Sequence, residues 1–282
     1  MRPILVLGAM APWLTVSDAL RILTVMSVTV PSHHIWFSTL PVALADKGHE
    51  VYSIDIKMPK KVPPTLTVNL MSPPSKDAAE EFAHVLEVFQ SGTVFQKFRA
   101  FATVSVNSCE RLLKEEAMQK IISPEFKQAF DVIIFNYAWH ECLFGLIHRF
   151  NNTPTIVASP FPLPLPILRQ IDNPIFHGLP HYFKPYHVPM NFWDRLASLA
   201  VYLYDELMYY NDEEPRMERL MKKTFGDDCP PIRELAQHIA LAFVNMVDTK
   251  PRPPLVANII PVGGMHIPPV EPLSEVTYNE TC

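Results

Sequence analysis

The chain has 282 residues, of which 48% are hydrophobic, and its formal net charge is −5. This length and apolar content suffice for one large domain or two small ones. The basic residues form no cluster beyond Lys57–Lys61, which is most simply a solvated loop. A nucleic-acid-binding protein is therefore not expected. Proline is abundant, with 29 residues, and glycine is scarce, with 8, so we expect long and stiff loops.

The N-terminal segment has the composition of a secretory leader. Met1–Ala19 starts with a basic residue, continues through an apolar middle and closes on polar and small residues, which predicts a signal peptide cut near Ala19. The alternative is an N-terminal membrane anchor, but Pro12 and Asp18 leave the apolar run short for a span. No later stretch reaches about eighteen uninterrupted apolar residues, so we expect no transmembrane helix in the mature chain.

The segment after the leader has the pattern of a strand, a helix and a second strand. Leu20–Val28 is apolar and rich in β-branched residues, as in a buried parallel strand. His34–Lys47 has apolar residues at helical spacing, and Gly48 follows at the position that commonly ends a helix. Glu50–Ile56 alternates again and predicts the second strand. Pro41 falls inside the predicted helix, where an interior proline costs about 3 kcal/mol, so we expect a tolerated kink.

Strands and helices alternate through the rest of the chain. Further strands are predicted at Thr65–Met71, Phe130–Phe135, Pro154–Ala158, Ile239–Val244 and Ala257–Val262. Further helices are predicted at Asp77–Gln90, Phe95–Ile122 with a break near Val104–Val106, Trp139–Phe150, Asn191–Tyr210, Glu214–Phe225 and Pro230–His238. This order predicts an α/β fold, a Rossmann-like parallel sheet flanked by helices. Ser159–Met190, which is rich in proline and aromatic residues, is predicted to be a packed excursion that lines one wall of a cleft.

Neither the cysteines nor the clustered histidines predict a metal site. The cysteines fit no zinc spacing and are sparse for a disulfide framework: Cys109, Cys142, Cys229 and Cys282. We expect buried free thiols, although a bridge such as Cys109–Cys142 is compatible with an oxidising lumen. The histidines of the excursion do not have the spacing of ligands on a helix: His177, His181 and His187.

Several of these motifs together resemble the UDP-glycosyltransferase family, especially the membrane-bound enzymes of insects and other animals. Ser32-His33 precedes the first helix, and Lys47-Gly48-His49-Glu50-Val51 follows it. Three later runs continue the similarity in the same order and spacing: Phe130-Asp131-Val132-Ile133-Ile134, Glu141-Cys142 through Gly145 to His148-Arg149-Phe150, and Asn258-Ile259-Ile260-Pro261-Val262-Gly263-Gly264-Met265-His266. The resemblance covers most of the chain after residue 19.

The resemblance implies a catalytic histidine base after the first strand. His33 has the matching distance from Gly48, so the role falls on His33, and we expect His34 to point toward the surface or the cleft rim. Histidine suits the role because its unperturbed pKa lies near neutrality. The family places an acid behind this base just after the fourth strand, where this sequence has Asn136. Asparagine can orient the ring but cannot offset a positive charge.

Two carboxylates near that position have other expected roles. Glu141 is the nearest one that could substitute for the missing acid, although it matches a family position on the following helix and is expected to be structural. Asp131 belongs to the start of the strand, as in the family. Pro41 has a second interpretation in this context, which is relaxed selection or a retuned acceptor pocket. The aromatic residues of the excursion and of the helix from Phe95 are candidates for lining an apolar acceptor pocket.

The resemblance also implies how the chain is divided. In the family, a second Rossmann-like domain with the nucleotide-sugar signature follows the motif around Val262-Gly263-Gly264, and a transmembrane helix follows that domain. Here a polar tail follows instead. We therefore interpret residues 20–266 as an acceptor-binding Rossmann-like domain, the N-terminal domain of a GT-B type glycosyltransferase. Residues 267–282 are interpreted as a linker remnant, and the C-terminal donor domain as absent.

The expected function is that of a truncated UDP-glycosyltransferase, which is inactive alone. It would take part in inverting hexosyl transfer from a UDP-sugar to the hydroxyl of a small lipophilic acceptor, with His33 as the base and with no cofactor or metal. It would bind UDP-sugar only with a donor domain. The expected location is the lumen of the endoplasmic reticulum, where Asn151 and Asn279 are glycosylation acceptors. The alternative is a non-catalytic lumenal binding or regulatory subunit that associates with full-length relatives.

Overall fold

The structure, a computed structural model, describes residues 19–184, 189–247 and 254–267. The predicted leader up to residue 18 and the predicted tail from residue 268, including Cys282 and Asn279, lie outside the described residues. The same holds for Tyr186 and His187. No helix within the described ranges is both long enough and apolar enough to cross a membrane.

The strands of the described chain form a single parallel sheet, which confirms the predicted Rossmann-like α/β fold. They are β1 (Arg21–Val25), β2 (Glu50–Asp55), β3 (Leu66–Leu70), β4 (Val132–Asn136), β5 (Thr155–Ser159), β6 (Ile239–Val244) and β7 (Ile259–Pro261). Their order in the sheet is β3-β2-β1-β4-β5-β6-β7, and every neighbouring pair is parallel. The chain thus reverses its direction of winding between β1 and β4, and open α/β sheets bind ligands at the carboxyl ends of strands at such a point.

The described helices cover the sheet and connect its strands. They are α1 (Pro31–Phe37), α2 (Thr39–Asp46), α3 (Lys76–Ser91), α4 (Val94–Lys114), α5 (Glu116–Ile122), α6 (Gly145–Arg149), α7 (Leu165–Gln170), α8 (Phe192–Met208), α9 (Glu214–Phe225) and α10 (Ile232–Leu235). Short 3-10 turns occupy Glu141–Phe144 and Ala236–His238, and a π-helical turn, Tyr209–Glu213, joins α8 to α9. The π turn is an irregularity that the sequence pattern did not predict.

The predicted helix His34–Lys47 is divided in two at Ser38, which ends α1 and precedes α2. Pro41 therefore lies in the first turn of α2, where backbone N–H groups have no partner within the helix. Because an N–H at this position would have no partner within the helix, proline loses no hydrogen bond here. The chain therefore has a break at Ser38 in place of the expected kink within one helix. Gly48, with φ at +94°, follows α2 as predicted.

The predicted helix Phe95–Ile122 is also divided, but at a different residue from the one expected. The break lies at Glu115, and Val104–Val106 is continuous helix within α4. Val106 is buried in the core, and its packing outweighs the weak helix propensity of β-branched residues. Glu115 leaves the helical conformation, and its carboxylate accepts the backbone N–H of Ser72 at 3.0 Å.

The expectation of free thiols is wrong for two of the cysteines. Cys109 of α4 and Cys142 of the 3-10 turn after β4 form a disulfide, with their Cα atoms 6.2 Å apart. Cys229 is free and buried, as predicted. Spacing along the chain does not specify which cysteines pair, because the contact joins two elements that are far apart in sequence.

Two helices on the outside of the molecule expose apolar faces. The α8 helix turns Ser198, Tyr202 and Asp205 inward and leaves Trp193 and Leu207 exposed, at 72% and 62% of their surface. The α3 helix buries only Val85 of its apolar face and exposes three large side chains: Phe82, Leu86 and Phe89. We refer to α3, α8 and the π-helical turn Tyr209–Glu213 as the outer helical layer.

Candidate functional site

The predicted base and its predicted partner come together at the carboxyl edge of the sheet. His33 lies in α1, which follows β1 and begins with Pro31, a residue whose fixed φ suits a helix start. Asn136 is the last residue of β4, the neighbour of β1 across the point where the winding reverses. Nδ1 of His33 and Oδ1 of Asn136 are 3.0 Å apart. A pair separated by about a hundred residues in sequence is thus joined by the strand order.

The surroundings of His33 favour a neutral ring. Burial is the larger influence and lowers its pKa, whereas the hydrogen bond with Asn136 raises it. Since Oδ1 of Asn136 faces the ring, Nδ1–H donates and Nε2 keeps its lone pair, as a proton acceptor requires. Asn136 is completely buried, and among the described residues its Nδ2 has no hydrogen-bond partner. The pair therefore provides orientation without negative charge.

His34 does not point to the surface or the rim, as the sequence led us to expect. Its Nδ1 lies 2.8 Å from Oδ1 of Asp55, and only 14% of its side chain is exposed. Asp55 is the last residue of β2, on the other side of β1, and its side chain is almost completely buried. Burial, the larger influence, raises the pKa of Asp55, and His34 lowers it. Sequence reasoning missed this pair, although an acidic residue at the carboxyl end of an apolar strand was a signal for it.

The carboxylates considered as substitutes for the missing acid have other partners. Glu141 is fully buried and accepts a hydrogen bond from the Tyr137 hydroxyl at 2.5 Å, and no hydrogen bond joins it to His33. Burial, as the main cause, raises its pKa to about 7. Asp131 pairs with Arg21 at 2.9 Å, at the start of β4 and β1. Both residues have structural partners, as expected from their positions.

Aromatic rings from the excursion and from α4 extend away from His33. Phe161 makes an edge contact with the His33 ring, with centroids 5.4 Å apart, and Trp139 stacks on Phe161 at 4.9 Å. Phe101 of α4 touches Trp139 in turn, at 4.6 Å. Trp139 has a φ of +57°, which is unusual for a bulky residue, and the predicted helix start at this residue is replaced by the later 3-10 turn. The excursion thus contacts the edge where the two histidines lie.

The other predicted candidates are distributed elsewhere. His181 is buried and pairs with Asp205 of α8 at 3.0 Å, which attaches the excursion to the outer helical layer. His187 and Tyr186 lie outside the described residues. Phe176 is exposed. In the described part of the chain, no cluster of three or more histidine, cysteine, aspartate or glutamate side chains could hold a metal ion.

A cavity of about 900 Å³ lies at the opposite, amino-terminal edge of the sheet, between the segments that precede β4 and β5. Arg149 is one of the polar side chains that line it. Its guanidinium donates to the backbone carbonyls of Ile122, Ser123 and Phe126 and so stabilises the local chain. This cavity is remote from the histidine pairs.

Comparison with known proteins gives the following relatives. UDP-glucosyltransferase 2 of Dactylopius coccus is 26% identical over 279 residues, which covers 96% of this chain and 52% of the relative. UDP-glucuronosyltransferase 3A1 of Bos taurus is 25% identical over 300 residues, covering 98% of this chain and 53% of the relative. The chain therefore spans about half the length of these curated relatives.

No protein-family model matches the chain. Among solved structures, Phytolacca americana apo UGT2 is 13% identical and covers 93% of this chain and 54% of that one. Its TM-score is 0.37. The curated relatives align along almost the whole chain, and the chain is similar in sequence to UDP-glycosyltransferases.

Proposed function

We propose that this chain is the acceptor-binding half of a UDP-glycosyltransferase of GT-B type. The full reaction would transfer a hexose, glucose or glucuronic acid, from a UDP-sugar to the hydroxyl of a small lipophilic acceptor, with inversion at the sugar carbon. The observation that carries the proposal is a hydrogen-bonded histidine at the carboxyl edge of the sheet, beside the point where the winding reverses. The curated relatives, which are named as glucosyl- and glucuronosyltransferases, support the same reaction.

The chemistry requires a base at the acceptor hydroxyl. The hydroxyl oxygen attacks the sugar carbon and gives its proton to an imidazole nitrogen, while the bond from that carbon to UDP breaks and UDP leaves with the electron pair. The resemblance assigns the base to His33, with Asn136 in the orienting position. The rings of Phe161, Trp139 and Phe101 offer an apolar surface for the acceptor beside it.

The donor is proposed to bind mainly to a second domain. The expectation is that the chain alone binds UDP-glucose weakly and does not transfer glucose. Isothermal titration of the 282-residue chain with UDP-glucose tests this, since dissociation constants in the micromolar range would place a donor site in this half and contradict the proposal.

Transfer itself is tested by joining the complete chain to the part of Dactylopius coccus UDP-glucosyltransferase 2 that it does not match. The fusion should transfer glucose from UDP-glucose to lipophilic phenols or steroids. Asn136→Asp should raise the rate if His33 is the base, because a carboxylate would offset the imidazolium charge that Asn136 cannot. Asp46→Asn, at an exposed residue paired with Lys61, is the matched control. A fusion that folds but transfers no sugar to any acceptor would refute the proposed reaction.

We also propose that the chain folds in the lumen of the endoplasmic reticulum. The Cys109–Cys142 disulfide supports this location, because such bonds persist in oxidising compartments and are rare in the cytosol. Asn151 is exposed, as a glycosylation acceptor must be. The test is expression in insect cells followed by endoglycosidase treatment and thiol labelling. A chain without glycans and with both thiols free would contradict the proposed location.

A second candidate function is a non-catalytic lumenal subunit that associates with full-length relatives. The exposed apolar face of α8, with Trp193 and Leu207, favours it, because large apolar patches commonly mark interaction surfaces. Co-expression of the chain with a full-length relative, followed by affinity capture, tests the idea. The relative should be recovered with the native chain and lost with a Leu207→Glu variant. If the full-length relative is recovered with neither the native chain nor the variant, this role is excluded.

A further inference from the structure

A carboxamide lies behind the candidate base, where a protonated ring would need a negative charge. Oδ1 of Asn136 lies 3.0 Å from Nδ1 of His33, and Asn136 is completely buried. The amide oxygen accepts Nδ1–H and so orients the ring, but it carries no charge that would stabilise the imidazolium. Burial lowers the pKa of His33 and outweighs this hydrogen bond. The ring is therefore well oriented but weakly basic.

The titratable groups near His33 do not supply the missing charge. His140, which lies close enough to His33 for their charges to interact, is buried and neutral, since burial lowers its pKa to about 3. Asp55 pairs with His34 on the other side of β1. Glu141 has a structural partner of its own. Within the described ranges, no carboxylate forms a hydrogen bond or an ion pair with His33.

The weak basicity of His33 makes the acidity of the acceptor decisive. A phenolic hydroxyl has a pKa of about 10, as in tyrosine, whereas an aliphatic hydroxyl, like water, has a pKa of about 16. Proton transfer to a base becomes easier as the acceptor hydroxyl becomes more acidic. A carboxylate behind the base compensates for a weakly acidic hydroxyl, because it stabilises the imidazolium that forms. His33 lacks this support, so a phenol gives up its proton here far more readily than an aliphatic alcohol.

The rings beside His33 favour the same class of acceptor. Phe161 makes an edge contact with the His33 ring, and Trp139 stacks on Phe161 at 4.9 Å. Phe161 and Trp139 each keep part of their surface exposed, as does His33 itself. Aromatic rings attract one another in offset-stacked and edge-to-face geometries, beyond the effect of the area they bury. The surface next to His33 thus suits an aromatic acceptor better than an aliphatic one.

We infer that Asn136 restricts this chain to acceptors with acidic hydroxyl groups, phenols above all, and makes aliphatic alcohols poor acceptors. The inference rests on the proposed function and specifies its acceptor class. In the step, the phenol oxygen forms a bond to the sugar carbon, and its proton passes to Nε2 of His33. The bond from that carbon to UDP breaks, and UDP leaves with the electron pair. Asn136 accepts Nδ1–H throughout and acts as a positioning residue.

The fusion described above tests the inference with two acceptors of similar size, 4-methylphenol and 4-methylcyclohexanol. We expect kcat/KM for the phenol to exceed that for the cyclohexanol by at least about a hundredfold, because the less acidic hydroxyl depends more on the base, whose contribution is about 10²–10⁴ in rate. Asn136→Asp should lower this ratio by at least about tenfold, chiefly by raising transfer to the cyclohexanol, because the new carboxylate stabilises the imidazolium.

Asn152→Asp is the matched control. It makes the same substitution at an exposed residue just before β5, at the amino edge of the sheet, so the ratio should not change. Since the aromatic rings are the same in all three fusions, a change confined to Asn136→Asp reports on charge and not on the fit of the acceptor. A ratio near one in the native fusion, or equal ratios in the native and Asn136→Asp fusions, would overturn the inference and leave the proposed function intact.

A second measurement uses the 282-residue chain alone and does not depend on transfer. The histidine ring signals in NMR spectra, followed against pH, give the midpoint at which each ring is protonated, and His33→Gln identifies the signal of His33. In the native chain, His33 should titrate below about 6.5, the ordinary value for histidine. Asn136→Asp should raise this midpoint by at least about one pH unit. His84, whose side chain is 69% exposed on α3, is the internal reference.

The two measurements separate the inference from the proposed function. A native His33 midpoint above about 6.5, or an equal midpoint in Asn136→Asp, would overturn the inference, whatever the fusion does. The native midpoint decides this even if Asn136→Asp does not fold. If His33 titrates as expected but the fusion transfers no sugar to either acceptor, the proposed function is refuted, the inference falls with it, and Asn136 only orients His33.

Discussion

The central sheet and the outer helical layer are built on opposite principles. The middle strands bury apolar side chains on both faces, with Leu23 and Ile133 on one face and Ile22 and Ile134 on the other. The outer helical layer buries polar groups as well, including Asp205 and Glu213, and exposes large apolar side chains such as Trp193 and Leu207, although Tyr209 is buried. The sheet is therefore stabilised by the removal of apolar surface from water, whereas in the layer the buried Asp205 depends on its pairing with His181.

The largest expected effect lies in the outer helical layer. Asp205→Ala should lower the free energy of unfolding by about 3–5 kcal/mol, because it leaves the buried His181 without its partner. Urea unfolding followed by circular dichroism measures the change. Asp205→Asn is the control, since it keeps a hydrogen-bond acceptor and should cost less. If Asp205→Ala costs below about 1 kcal/mol, the layer does not depend on this pair.

The matching change in the sheet is Ile133→Ala in β4. We expect a loss of about 2–5 kcal/mol, because the substitution removes buried methyl groups and leaves a cavity in a well-packed core. Ile260→Ala in the edge strand β7 is the control, since this side chain is 37% exposed and should cost less. Equal losses for Ile133 and Ile260 in the same urea experiment would show that the centre of the sheet is not the better packed region.

These contrasts explain which parts of the fold the sequence could predict. The bounds of β6 and α9 were predicted correctly, because a continuous apolar run and a helical pattern ended by Gly226 depend on local residues alone. The orientation of α8 was not predicted, because its apolar face suggests burial, whereas in the structure the inward face carries Asp205, which pairs with His181.

The candidate site shows the same division. The contact between His33 and Asn136 could be predicted from the resemblance, which gave both positions. The contact between His34 and Asp55 could not, because it depends on how α1 is set over the sheet. The Cys109–Cys142 bridge likewise depends on where α4 packs against the turn after β4. Local pattern thus specifies the elements, and the side-chain pairs across them follow only from their packing.

The buried carboxylate next to the candidate site gives a pH-dependent prediction. The pKa of Glu141 is raised from 4.5 to about 7, mainly by burial, so the folded chain holds this proton more tightly than the unfolded chain. Stability should therefore fall as the pH rises from about 4.5 through about 7, and the full loss of roughly 3 kcal/mol is reached above that range.

The test of this effect is Glu141→Gln. Glutamine stays neutral and its carbonyl oxygen can still accept from Tyr137. The variant should match the native chain near pH 4 and be more stable by up to roughly 3 kcal/mol near pH 8, as measured by urea unfolding at both values. Parallel pH dependence of the two proteins would show that Glu141 does not titrate in this range.

The smallest expected effect concerns the exposed face of α8. It decides whether that face is in contact with solvent or is covered by another copy of the chain. Leu207→Ser should change the free energy of unfolding by less than about 0.5 kcal/mol, because the side chain is 62% exposed and loses little burial. The measurement is the same urea experiment, run at two protein concentrations about tenfold apart. A loss above about 1 kcal/mol that grows with concentration would mean that copies of the chain cover this face in solution. The outer helical layer would then be stabilised by apolar burial after all, as the sheet is, and the contrast between the two regions would hold only for the isolated chain.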